Sequence, residues 1–239
     1  MLQCFQSIND PGELPEQLAL ASYIVWVLAG YFVGSIPVAW LATKLVTGND
    51  LRQLGSGNVG VMNTALSAAR WAGLLVLLAE IMKGALAVLI PRALGADEIT
   101  VCLTVLAVVA GTRWSIWLHF AGGRGNTAGV AALVLISWQT AAVVFAIWIL
   151  VFLMNHNSFT TTRTTLLLLP VIIAVVTHSV LYVLTGMVLS ILYLITQRKE
   201  TDDHLILKQN WPSLLAFITS PPRKRNIEGI VENNTKVNH

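Results

Sequence analysis

The chain has 239 residues, of which 55% are hydrophobic and only 11% are charged, and its mean hydropathy is +0.70. A soluble domain carries about 25% charged residues, so this composition excludes a water-soluble globule and predicts an integral membrane protein. The net charge of +3 is too small to indicate nucleic-acid binding. We expect no nucleic-acid partner, no metal and no cofactor.

Five apolar runs follow a polar N-terminal arm over residues 1–17. They cover residues 18–46, 71–94, 99–120, 128–154 and 165–196, and Gly34-Ser35-Ile36-Pro37 interrupts the first. A spanning helix needs about 20 apolar residues, so each of the first three runs predicts one helix. Each of the last two could be one long helix or two short ones, so hydropathy alone allows five spans if neither run divides and seven if both do. The prediction is an all-α polytopic membrane domain over residues 18–200, with a polar tail over residues 201–239.

Basic residues indicate the orientation, because positively charged loops mark the cytoplasmic side of a membrane protein. The turn at Asp97-Glu98 is acidic and reads as external, whereas the polar loops after the first and third runs are basic. This pattern predicts an external N-terminus and a cytoplasmic C-terminus. The polar stretch at residues 155–164 is external if each of the last two runs is one helix and internal if each is two. The basic loop residues are Arg52, Arg70, Arg113 and Arg124.

The first polar loop is rich in glycine and uncharged polar side chains. It reads Gly55-Ser56-Gly57-Asn58-Val59-Gly60, and Asn63 follows. The dinucleotide-binding interpretation of G-x-G-x-x-G requires a βαβ unit, whereas a membrane helix precedes this loop. Glycines nevertheless allow backbone N–H groups to approach an anion closely. The loop is therefore either a phosphate site or a plain turn between helices.

A second glycine-rich loop follows the third run and reads Gly122-Gly123-Arg124-Gly125. It lies at the start of the next helix, where the helix N-terminus favours anions, and its arginine suits phosphate. Alone it could be a positive-inside marker with flexible glycines. Two such loops on one face favour a phosphate site more than either does separately.

One acidic and one basic residue lie inside the second apolar run, at Glu80 and Lys83. Their spacing of three allows contact on one helix face. Ionisable residues at membrane depth are costly, which makes them candidates for function. The alternative is an ion pair that closes the helix packing.

These motifs resemble those of the PlsY family, the acyl-phosphate:glycerol-3-phosphate acyltransferases. The resemblance extends from about residue 20 to residue 200, and it implies seven helices with short, partly inserted segments. Each of the last two runs would then be two short helices, with all motifs on the cytoplasmic side. The resembling segments are Gly34-Ser35-Ile36-Pro37, residues 52–60 with Asn63, Glu80-Ile81-Met82-Lys83-Gly84, Gly122-Gly123-Arg124-Gly125, and Ser158 at the family's substrate-binding serine.

The implied reaction moves a fatty acyl group from acyl phosphate to glycerol-3-phosphate, giving lysophosphatidic acid and phosphate for phospholipid synthesis. The implied location is among the lipids of a bacterial-type plasma membrane. The leaving phosphate could take the proton, so positioning and charge stabilisation carry the catalysis. The implied catalytic residues are Ser56, Asn58 and Arg124. The implied substrate-binding residues are Arg52 as loop support, Asn63 and Ser158 for the polyol, and Gly55, Gly57, Gly60, Gly122, Gly123 and Gly125.

The chain also departs from the family pattern. Leu66 stands where the family has an arginine, and Arg70, one helical turn on, is the candidate replacement. The family's third motif, His-Arg-Glu-Asn, corresponds to Gln197-Arg198-Lys199-Glu200. Two alternatives therefore stay open: a paralogue without turnover that binds lipid phosphates or a partner, and a small membrane transporter. The sequence does not specify the oligomeric state.

Overall fold

The computed structural model describes residues 16–196 together with Phe217. Residues 16–196 form nine α-helices, with short 3₁₀ turns at Leu51–Gln53 and Ile116–Leu118. The α-helices are α1 (Glu16–Ser35), α2 (Val38–Thr47), α3 (Val61–Ser67), α4 (Arg70–Ala93), α5 (Glu98–Arg113), α6 (Asn126–Ile136), α7 (Trp138–Asn155), α8 (Ser158–Thr177) and α9 (Val180–Thr196).

Five segments of this bundle are long and apolar enough to cross a membrane, with α1 and α2 together forming the first. Helices α6 and α9 are shorter apolar helices. The protein is therefore a multi-pass membrane protein. The predicted all-α fold with about seven membrane helices, some short or interrupted, is confirmed.

Both of the last two apolar runs divide into helix pairs, at points that hydropathy does not reveal. The first division lies at Ser137, whose side chain caps α7 by accepting the backbone N–H of Thr140 (3.3 Å). The second follows α8, where His178 adopts a left-handed conformation with φ of 53°. A small cap and a left-handed residue are each enough to end a helix in an apolar run.

The expected polar loop over residues 155–164 is wrong in extent, because α8 already begins at Ser158. Asn157 caps this helix by accepting the backbone N–H of Thr160 (3.1 Å). The Thr161 hydroxyl donates to the Asn157 carbonyl (2.8 Å), and the Thr165 hydroxyl donates to the Thr161 carbonyl (2.9 Å). These bonds within the helix satisfy the hydroxyls, so a threonine-rich segment becomes the first turns of a membrane helix.

Two close helix seams hold the bundle together. Gly34 of α1 lies against the carbonyl oxygen of Val108 on α5, and Gly84 of α4 lies against that of Ala128 on α6. A Cβ atom at either glycine would overlap the facing carbonyl. In lipid, helices associate largely through such close packing of small residues, so these glycines fix the helices that carry the two glycine-rich loops.

The bundle has two polar ends. At one, which we call the loop end, lie the first loop (residues 48–60) and the second loop (residues 119–125). At the opposite end, Arg92 forms an ion pair with Glu98 (3.0 Å), and Tyr182 donates to the Glu98 carboxylate (2.8 Å).

Helix α1 begins two residues inside the predicted N-terminal arm. Residues 1–15 and the predicted tail, apart from Phe217, lie outside the described residues.

Candidate active site

The first loop is organised around one buried amide, that of Asn63 in α3. This residue has no exposed surface. Its Nδ2 donates to the carbonyls of Leu54 and Asn58 (both 2.9 Å), and its Oδ1 accepts the backbone N–H of Ser56 (3.3 Å) and the Ser67 hydroxyl (3.0 Å). Every polar atom of the side chain thus faces the protein. Asn63 thus supports the loop in this structure, and its expected contact with the polyol stays a prediction.

Three glycines of the first loop, Gly48, Gly55 and Gly57, adopt left-handed backbone conformations. Gly55 has φ of 56° and Gly57 has φ of 70°, a region in which glycine carries no Cβ penalty. Between them, the half-buried Ser56 accepts the backbone N–H of Asn58 on its hydroxyl (3.3 Å). The Asn58 side chain is buried, and Gly60 caps α3 in an extended conformation.

An ion pair anchors the start of the first loop. The Arg52 guanidinium lies 2.6 Å from the Asp50 carboxylate and also donates to the carbonyl of Leu118 (3.4 Å). The hydrogen bond from Arg52 lowers the pKa of the Asp50 carboxyl to about 2 from its usual 3.8. A lowered pKa stabilises the fold above pH 3.8, and this contribution is lost as the pH falls towards 2. The pair is therefore fully formed at neutral pH.

The second loop is held against the end of α5. The backbone N–H of Gly123 donates to the Thr112 carbonyl (3.0 Å), and Arg113 donates to the Gly123 carbonyl (3.3 Å). A Cβ atom on Gly122 would overlap the Thr112 carbonyl. Gly125, with φ of 74°, caps α6, so the loop leads directly into a helix N-terminus, which favours anions.

The structure brings the two loops into direct contact. Gly123 lies so close to the carbonyl oxygen of Val59 that a Cβ atom there would overlap it. Arg124, the next residue in the sequence after Gly123, is half-buried. Two glycine-rich loops, a helix N-terminus and a guanidinium therefore gather at one end of the bundle, a combination that suits an anionic substrate.

Beneath the two loops, a buried ion pair supports the break between α1 and α2. Lys83 is 2.7 Å from the Glu80 carboxylate, and it also donates to the carbonyls of Gly34 (3.1 Å) and Ile36 (2.7 Å). Residues 34–37 leave carbonyls without helical partners, and the lysine satisfies two of them. The pair lines a small cavity of about 10 Å³ that Gly122 and Gly123 also line. The pair expected from the spacing thus forms, next to the second loop.

Sequence reasoning missed several residues that join the loops to the bundle. The Tyr193 hydroxyl of α9 donates to the Gly125 carbonyl (3.0 Å), and the Ser115 hydroxyl donates to the Ser35 carbonyl (2.5 Å). The Thr112 hydroxyl contacts the Gly34 carbonyl (3.2 Å). Their only sequence signal is a hydroxyl beside or within an apolar run, which is common in membrane helices.

Two predicted parts of the site are not described. The side chain of Ser158 lies outside the described residues, although its backbone begins α8 at the loop end. The proposed third motif, residues 197–200, lies outside them as well. Within the described part of the chain, no group of three or more His, Cys, Asp or Glu side chains could hold a metal ion.

A long apolar cavity of about 250 Å³ lies among α6, α7, α8 and α9. One end reaches Asn126 and Tyr193, next to the second loop, and the other reaches Thr177 and Tyr182 at the opposite end of the bundle. Between them the lining is mainly aliphatic, including Leu133, Val144, Leu166, Leu169 and Leu189. Such a space suits a hydrocarbon chain whose polar group lies at the loops.

The fold defines a polytopic membrane protein in which two contacting glycine-rich loops lie beside one end of an apolar cavity. Comparison with known proteins gives the family: the sequence model described as glycerol-3-phosphate acyltransferase matches residues 24–206. The chain belongs to this family.

Similar proteins carry the same description. A glycerol-3-phosphate acyltransferase of Gluconobacter oxydans is 36% identical over 152 residues, which cover 63% of this chain and 72% of the relative. Glycerol-3-phosphate acyltransferase 2 of Moorella thermoacetica is 38% identical over 135 residues, which cover 55% and 69%.

Two solved structures of an integral membrane glycerol 3-phosphate acyltransferase, PlsY, are also similar. Its glycerol 3-phosphate form superposes with a TM-score of 0.67 at 26% identity, covering 77% of this chain and 92% of that one. Its lysophosphatidic acid form superposes with a TM-score of 0.65 at 21% identity, covering 83% and 100%, and shows the likeness of fold alone.

Proposed function

We propose that this protein transfers a fatty acyl group from an acyl phosphate to glycerol-3-phosphate, producing lysophosphatidic acid and inorganic phosphate. The observation that carries the proposal is the contact between the two glycine-rich loops, beside the N-terminus of α6 and the polar end of the apolar cavity. A protein of this family with such a site has both a place for phosphate and a place for an acyl chain.

The proposed step needs no base from the protein. The hydroxyl oxygen of glycerol-3-phosphate attacks the carbonyl carbon of the acyl phosphate, the bond from that carbon to the phosphate oxygen breaks, and the leaving phosphate takes the hydroxyl proton. The rate enhancement then comes from holding the two substrates together and from stabilising the negative charge that develops on the carbonyl oxygen. The family relationship and the loop geometry support this mechanism.

Each of the two loops contributes to the proposed site. Ser56, Gly57 and Asn58 cradle one phosphate, and Arg124 binds another oxyanion. Ser158 at the start of α8 binds the polyol. These roles agree with the placement of Ser56 and Arg124 at the loop end, and Arg52 and Asn63 hold the first loop in shape.

The proposed membrane is a bacterial-type inner membrane, with the loop end in the cytoplasm and the N-terminus outside. Arg52 and Arg124 lie at the loop end, whereas the opposite end has the acidic turn at Asp97 and Glu98 with Arg92 paired to Glu98. This asymmetry supports the orientation. Glycerol-3-phosphate, which its charge keeps out of the lipid, then reaches the loops from the aqueous side.

The test is an assay of the purified protein in lipid with acyl phosphate and glycerol-3-phosphate, following both lysophosphatidic acid and phosphate release. We expect turnover, and a loss of about 100-fold or more in Arg124→Ala, because removing one preorganised charge contact costs roughly that much. The matched control is Arg163→Ala, since Arg163 is exposed on α8 and contacts the Phe159 ring (5.6 Å).

An absence of product from the wild-type chain, with an active relative assayed alongside, would contradict the proposal. Binding of either substrate without turnover would then favour a paralogue that has lost its activity. Equal losses in Arg124→Ala and Arg163→Ala would remove Arg124 from the site.

A further inference from the structure

Phe217 packs onto the short helix that supports the first loop, although it lies beyond residues 24–206 that match the family. It is only 5% exposed and forms a cluster with Leu66, and Met62 and Ala65 pack against the same cluster. All three partners belong to α3. A residue of the C-terminal segment therefore covers one face of this helix.

Helix α3 has seven residues, which is too short to be stable without tertiary contacts. Its other face carries Asn63 and Ser67, whose side chains bond to each other and, through Asn63, to the backbone of the first loop. The conformation of the loop thus depends on the position of α3, and Phe217 is one of the contacts that set this position.

Phe217 also faces the guanidinium of Arg70, whose Cζ lies 4.9 Å from the ring centroid. Arg70 is the first residue of α4, and a positive charge is unfavourable at a helix N-terminus. An aromatic face attracts a guanidinium, which offsets that cost. The ring therefore contacts the helix before the α3–α4 junction and the first side chain after it.

We propose that Phe217 is a positioning residue: it clamps α3 and Arg70 together and so fixes the first glycine-rich loop for substrate. The consequence for catalysis rests on the proposed function. The structural part of the inference, that the clamp orders residues 51–67, does not.

Hydrogen exchange of the protein in lipid tests the structural part without any substrate. In Phe217→Ala we expect amides of residues 51–67 to exchange about tenfold faster, because the opening of this unit becomes easier. The matched control is Phe145→Ala on α7, whose side chain is 64% exposed. The inference would be overturned if residues 51–67 exchanged at the same rate in Phe217→Ala and Phe145→Ala. It would also be overturned if Phe217→Ala sped up exchange in the distant turn at residues 94–97 as well.

Enzyme kinetics test the consequence of the Phe217 clamp for catalysis. We expect Phe217→Ala to lower kcat/KM for glycerol-3-phosphate by about tenfold, because misplaced substrate-positioning groups lose rate even at a distance. Phe217→Tyr keeps the ring and should restore the wild-type value, whereas Phe217→Leu keeps only the apolar contact and should fall between. An equal loss in Phe217→Tyr and Phe217→Ala would overturn the role of the ring. An inactive wild-type chain would contradict the proposed function, and the exchange experiment would still decide this inference.

Discussion

At the residue scale, the buried pair of Glu80 and Lys83 has the clearest energetic consequence. Lys83→Met leaves an uncompensated carboxylate in the bundle, and breaking a buried pair in this way costs about 3–5 kcal/mol. The double variant Glu80→Gln/Lys83→Met removes both charges, so we expect it to be more stable than Lys83→Met alone. Thermal unfolding in detergent of Glu80→Gln, Lys83→Met and the double variant measures this coupling. If the stability lost in the two single variants adds up to the loss in the double variant, the two side chains do not stabilise each other.

The same pair shows what one sequence can and cannot reveal about a site. The spacing of Glu80 and Lys83 predicts their contact, since both lie on one helix. The bonds from Lys83 to the carbonyls of Gly34 and Ile36 join residues 47 or more positions apart. No periodicity encodes such a contact, because it depends on how α1 and α4 pack.

Asn63 gives a further lesson at this scale. An amide in a glycine-rich motif has the chemistry of a substrate ligand and equally that of a loop support. Its complete burial, with bonds to Leu54, Asn58 and Ser56, shows the loop-supporting role, which the sequence alone does not distinguish from substrate binding.

At the element scale, the cavity among α6, α7, α8 and α9 predicts a limit on acyl-chain length. Val144 lines the cavity, so Val144→Phe should shorten it. We expect kcat/KM for long-chain acyl phosphates to fall by about tenfold or more, because one methylene that no longer fits an apolar pocket changes kcat/KM by about 10–200-fold. Short-chain donors should be unaffected. A series of acyl phosphates of increasing length measures the change.

Val143→Phe is the matched control for this variant. Val143 precedes Val144 on α7 and is 39% exposed on the outside of the bundle. If both variants show the same chain-length profile, the cavity is not where the acyl chain binds.

The element scale also shows where hydropathy succeeds and fails. The break in the first run is visible, since Gly34 and Pro37 stand out in an apolar sequence. The breaks at Ser137 and His178 are not, because a single capping hydroxyl or one left-handed residue changes the mean hydropathy very little. At the start of α8 hydropathy misses a helix instead of a break. The threonines there have low helix propensity, but their own hydroxyls help to complete the helix.

At the scale of the whole molecule, the proposed orientation makes a prediction about both ends of the bundle. In a chain with Cys4 and Cys102 replaced by alanine, Thr160→Cys at the loop end should react with a membrane-impermeant maleimide only after the cells are opened. Ala96→Cys at the opposite end should react in intact cells. Thr160 is exposed on the first turn of α8, and Ala96 lies in the turn before α5. The reverse pattern would place the loops outside.

The cavity described above has a consequence for how the proposed enzyme meets its two substrates. Its apolar length runs within the helical layer, and its polar end lies at loops that face water. An acyl phosphate would therefore arrive from a two-dimensional pool, whose relevant concentration is molecules per unit of lipid. Glycerol-3-phosphate would arrive from a three-dimensional one. Growth in membrane area without new acyl donor would then dilute one substrate and leave the other unchanged, so the rate of making lipid would respond directly to the amount of membrane already present.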